Sequence, residues 1–174
     1  MVQELIDLKN CILAGKNEDA IAIIDELEGM SKQAILRNIG SFLMILLIHL
    51  IKNQVEQRLT NSWAASIANS IRGIKKLNLK DNKTSYYIDD SEWESFLEDE
   101  LEAAIREASR EVLEGKLSRA QLNLRVDRDQ IIAIATGLLL LTYNYSRKEL
   151  EDAIDEYLSQ LPGGEDWNLE IKLQ

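Results

Sequence analysis

A single proline, Pro162, in 174 residues is the feature that most limits what this chain can fold into. With only eight glycines beside it, there are few points at which a helix is forced to stop. Leu, Ile, Ala, Glu, Lys and Arg fill the intervals, and nearly all of them favour helix. Hydrophobic residues make up 45% of the chain and charged residues 29%, a balance that supports a sizeable core. The expected class is all-α, an antiparallel bundle of about six to seven helices.

The longest apolar run of the first half, Phe42 to Ile51, carries the only histidine, His49. It is shorter than the roughly 20 residues a bilayer span requires, so it reads as a core helix and no membrane contact is expected. The N-terminus lacks the basic start and apolar stretch of a signal peptide, and Cys11 stands alone, so a cytoplasmic location without disulfides is expected.

Helical periodicity places Leu5, Leu8, Ile12 and Leu13 on one face of a first helix closed by Gly15. Asn17 opens a second, whose stripe of Ala20, Ile23, Ile24 and Leu27 ends at Gly29. Ser31 then caps a third that runs to about Leu59. The cluster Thr60-Asn61-Ser62 caps a fourth, from Trp63 to about Leu77. Counting back from that turn sets His49 opposite Gly73. After a loop over 80–90, Ser91 and Glu94 form the pattern of a capping box for a helix reaching Glu114. Leu122, Leu124 and Val126 alternate with polar residues, as do 167–173, and the two stretches could pair as a small two-stranded β ribbon. Between them, Asp127 and Ser146 each sit at the cap of a helix.

The formal net charge of −10 argues against a general affinity for nucleic acid or anionic lipid. Charge is uneven, however. Residues 52–83 hold seven bases against two acids, and 84–174 hold nine against 21. The basic end of the fourth helix, with Arg72, Lys75 and Lys76, is a candidate interaction patch, and complementarity with the acidic half is its simplest use.

Chemistry-bearing patterns are sparse. His49 has Lys52, Asn53 and Glu56 on its helical face, which is no metal triad. A pocket lined by His49, Lys52 and Trp63 is the one small-ligand candidate; a core histidine bonded to a neighbouring backbone or to Ser70 is the plainer alternative. No phosphate-binding, dinucleotide, nucleophile-elbow or zinc pattern occurs, so no catalytic residue, metal or cofactor is assigned.

Three stretches resemble a bacterial family, number 29 in the domain-of-unknown-function series. They are Asp25-Glu26-Leu27-Glu28-Gly29-Met30-Ser31, Leu46-Leu47-Ile48-His49-Leu50-Ile51-Lys52, and Ser62-Trp63 with Ile67, within about residues 13–115. The resemblance implies a helical bundle and no established activity. Residues 116–174 then read as an extension packed on a 1–115 bundle. An interaction module is expected, binding another copy of itself or a second protein. The alternatives are a ligand binder or enzyme at His49 and, more weakly, nucleic-acid binding at the basic end.

Overall fold

In the computed structural model, residues 2–165 are described. They hold seven α-helices: α1 (Val2–Leu13), α2 (Asn17–Glu56), α3 (Asn61–Asn78), α4 (Trp93–Ala108), α5 (Arg119–Arg125), α6 (Arg128–Asn144) and α7 (Glu149–Ser159). A 3-10 turn at Val112–Gly115 follows α4. The chain is all-α; among the described residues the β content is one isolated bridge, Leu79 with Tyr86. The expected ribbon is not seen. Residues 119–125 are helical, opened by a reciprocal capping box between Ser118 and Gln121, and 167–173 lie outside the described residues.

Two compact units divide the chain, Met1–Asn38 and Ile39–Gln174. In the first, Gly15 adopts φ 71° and closes α1: its amide donates to Ile12 O at 3.2 Å and that of Lys16 to Cys11 O at 2.9 Å. This is the left-handed helix stop that glycine favours. The expected break at Gly29–Ser31 is absent, and α2 continues through it for 40 residues. Gly29 keeps a helical backbone and has open space where a Cβ would sit. A lone glycine costs a helix only about 1 kcal/mol against alanine, too little to stop it.

The merged helix has a further consequence. α2 is long and apolar enough to cross a membrane, with a window of mean hydropathy 2.0 of which 33% is buried in the fold. Alone, the Phe42–Ile51 run is too short for a span, but the continuous helix around it is 40 residues long.

In the second unit, Ile39, Leu43, Leu46, Leu47, Leu50 and Ile51 of α2 are sealed from solvent, as are Ile67, Ile71 and Ile74 of α3 and Trp93, Leu97 and Leu101 of α4. The backbone of α6 comes close to those of α3, α4 and α7. Ala135 and Gly137 make that closeness feasible. A Cβ on Gly137 would collide with the Tyr157 ring.

The expected partner of Gly73 was His49; the structure puts Phe42 there, and a Cβ on Gly73 would lie 2.5–2.8 Å from its ring. Helix α2 stops at Glu56, about a turn sooner than expected, because Gln57 turns left-handed at φ 53°. An earlier turn slides every cross-helix pairing towards the N-terminus of α2.

The loop between α3 and α4 is pinned by buried Asn78. Its Oδ1 accepts from Ile88 N at 2.7 Å, and its Nδ2 donates to Ile88 O at 2.9 Å and to the Tyr143 hydroxyl at 3.1 Å. That hydroxyl donates to Ile88 O at 2.7 Å and accepts from Trp93 Nε1 at 2.7 Å. Ser91 does not cap α4. Glu92 occupies that position, and its carboxylate accepts from Asp89 N at 2.7 Å.

Candidate functional site

The turn between α2 and α3 builds a polar arrangement around Trp63. Thr60 caps α3 by accepting from Trp63 N at 3.1 Å, which fixes the indole one turn into the helix with only 7% exposure. Two cations lie over its ring. Lys52 Nζ is 4.8 Å from the centroid and the Arg58 guanidinium carbon 4.7 Å, both within cation–π range.

Neither cation is free. Lys52, itself 8% exposed, donates to Glu111 Oε2 at 2.6 Å. That hydrogen bond is the chief reason the Glu111 carboxyl titrates below its ordinary range. Arg58 donates from Nε and Nη2 to Glu56 Oε1 at 3.1 and 3.0 Å. The other Glu56 oxygen accepts from Leu113 N at 3.4 Å.

The far wall comes from the segment after α4, where a helix to Glu114 was expected. Helix α4 stops at Ala108 instead. Ser109 turns its hydroxyl back to Arg106 O at 2.6 Å, and Leu113, Glu114 and Gly115 are all left-handed at φ 48°, 59° and 73°. Two consecutive non-glycine residues in that region cost roughly 1–3 kcal/mol each, and buried Val112 with the Glu56 and Lys52 bonds holds them there. Together these elements enclose an open cleft of about 450 Å³, with Glu114 and Lys116 at its rim.

Lys52 and Trp63 are thus brought together, and His49 is not among the cleft's walls. Its Nδ1 lies 2.7 Å from Ile45 O; a carbonyl only accepts, so Nδ1 carries the proton. Half-burial pushes the imidazole pKa down, the Ile45 bond partly opposing it, and the ring is neutral at pH 7. Glu56, Arg58, Glu111 and Leu113 were not foreseen. Glu111 reaches the site because α4 ends at Ala108, and Leu113 because the backbone turns left-handed there, neither of which residue periodicity reveals.

The cleft's chemistry is balanced: three cations face three carboxylates, each paired. Among the described residues no group of three or more His, Cys, Asp or Glu side chains is placed to hold a metal ion. At the basic end of α3, Arg72 grips Glu151 of α7 through both carboxylate oxygens at 2.7 Å and also reaches Asn69. Lys75 donates to Thr142 O at 2.7 Å, in the last turn of α6, and burial lowers its pKa. Lys76 is exposed. Two of the three patch candidates therefore serve contacts within the chain.

A second candidate is the first unit's apolar surface. Leu5 is 52% exposed, Ile12 59% and Leu13 75%, and with Leu8 and Lys9 they line a shallow groove of about 220 Å³ along α1.

The family model for a domain of unknown function, DUF29, matches residues 14–122. The chain belongs to the DUF29 family. Comparison with curated proteins and with solved structures finds no match. The DUF29 match takes in α2, α3 and α4 and contains every paired residue of the Trp63 cleft from Lys52 to Glu111. It leaves α1, α6 and α7 outside.

Proposed function

We propose that this DUF29 protein is a non-catalytic interaction module, working in the cytoplasm, in which an antiparallel helical bundle carries an apolar helical hairpin that docks on a protein partner. Support for the bundle comes from two contacts: late α2 meets early α3 at Lys52 and Trp63, and earlier α2 meets later α3 at Phe42 and Gly73. The observation that carries the functional reading is the exposure of α1, in which no residue is buried although Val2, Leu5, Ile6, Ile12 and Leu13 are large and apolar. Scattered surface leucines need no explanation, but a 12-residue helix that buries no residue and exposes five large apolar ones does.

The self-neutralised Trp63 cleft fits a structural clamp, since every charge on its walls already has a partner. A membrane role draws little support from α2, because Ile39, Leu43, Leu46, Leu47, Leu50 and Ile51 are core residues. The test is photocrosslinking in the cell from a benzoylphenylalanine placed at Ile12, with exposed Lys76 as the comparison site. An adduct heavier than the chain from Ile12 and none from Lys76 is expected. Adducts from Lys76 alone would shift the interface to the basic end of α3, and none from Ile12 overturns the proposal.

A further inference from the structure

The interaction reading leaves the partner open, and resting on that reading, we infer that the partner is a second copy of this chain. The two copies would pair through α1 and the first turns of α2 in a two-fold, four-helix contact.

The hairpin cannot be self-sufficient. In residues 2–38 the single buried apolar residue is Ala20. A 12-residue helix such as α1 is marginal in water without packing, and ordering a hairpin of this length carries an entropy cost that one alanine does not offset.

The exposed area matches what a dimer needs. Val2, Leu5, Ile6, Ile12 and Leu13 of α1, with Ile21, Ile24 and Met30 of α2, are between 40% and 75% exposed. At on the order of 100 Å² each the five α1 residues, which share one side of that helix, present roughly 500 Å², and two copies pairing on them would bury about 1,000 Å² together, the lower end of a specific interface.

Composition points to a copy rather than a different molecule. Residues 1–41 contain no Phe, Tyr or Trp, so the surface lacks the aromatic anchors of exchangeable hetero-interfaces. An all-aliphatic face is what half of a helical-bundle core looks like. Lipid headgroups and nucleic acid fit poorly, since residues 1–38 carry seven acids against four bases. An isologous contact needs no second kind of surface: the same patch covers itself.

The test is sedimentation velocity on the full chain, with a spin label on Cys11, the only cysteine and a residue of α1. Twice the chain mass of 19.8 kDa is expected, together with one intermolecular dipolar distance from the label. Leu5→Glu with Ile12→Glu places two charges in the contact and should weaken dimerisation on the order of 100-fold or more, abolishing that distance. Fluorescence of Trp63 and Trp93, both in the second unit, checks that the variant stays folded. If the variant loses that signal, Ile12→Asn alone replaces it. A monomer at every concentration, or a dimer indifferent to these substitutions, overturns the inference. Photocrosslinking from Ile12 to a foreign protein alongside a monomeric mass would leave the interaction reading standing and remove only the second copy.

Discussion

Replacing Asn78 by alanine isolates the energetics that hold the α3–α4 loop. The buried amide of Asn78 is 1% exposed and serves both backbone groups of Ile88, a residue with no solvent access. In Asn78→Ala the Ile88 N–H loses its acceptor where water cannot replace it, a penalty of about 1–3 kcal/mol. The Ile88 carbonyl keeps its bond from the Tyr143 hydroxyl, so it adds little. With the smaller loss of packing, the total should be about 2–4 kcal/mol. Tyr143→Phe should cost about 1–3 kcal/mol, chiefly by stranding Trp93 Nε1. Each single variant leaves the Ile88 carbonyl one donor, whereas the double variant leaves none. The pair should therefore exceed the sum of its parts by about 1 kcal/mol. Urea denaturation followed by tryptophan fluorescence reads all three. A cost for Asn78→Ala below about 0.5 kcal/mol, within the range of neutral surface changes, would refute this account of the loop.

Three further outcomes follow from single sites. The imidazole of His49 is the only one in the chain, and its NMR titration should have a midpoint below the ordinary 6.5 with the proton on Nδ1. Because the unfolded state binds that proton more readily, the contribution of His49 to stability is complete above pH 6.5 and declines as pH falls below it; His49→Gln should flatten the slope. Alanine at two glycines should act with opposite signs in thermal melts: Gly29→Ala stabilises α2 by about 0.5–1 kcal/mol, and Gly73→Ala destabilises by about 1–3 kcal/mol against the Phe42 ring, rescued by Phe42→Leu. Thr136 buries a hydroxyl that has no partner, so Thr136→Val should raise stability by about 1 kcal/mol in the same melts.

Much of the fold was legible because helices announce themselves by period. In α4, Trp93, Leu97, Leu101, Ala104, Ile105 and Ala108 recur at helical spacing and are buried. Thr60 and Asp127 cap helices where short polar side chains precede apolar runs, and Ser146 accepts from Glu149 N just ahead of α7. The differences share one cause: local signals yield where cooperative packing decides. Gly29-Met30-Ser31 resembles a stop and a cap, yet one glycine and one serine do not outweigh the helix on either side. In α5, Leu122 is buried and Leu124 is 87% exposed; seven residues are too few for a helical period to separate from alternation. The Ser118–Gln121 capping box was the better guide there. At the cleft, Lys52 and Trp63 come together as two of the three residues expected to line one pocket, while the third, His49, is not on its walls. The acidic partners were not legible in the sequence, because Glu111 arrives from a segment whose left-handed turn at Leu113 and Glu114 uses residues that do not advertise it.

The proposed division between a bundle that holds itself together and a hairpin that depends on its partner is tested most directly by hydrogen exchange. The native chain is compared with its Leu5→Glu/Ile12→Glu variant, amide by amide. The expected result is strong protection along α6 in both proteins, with protection along α1 and residues 17–30 in the native chain that is lost in the variant. Equal protection of α1 in both would contradict it.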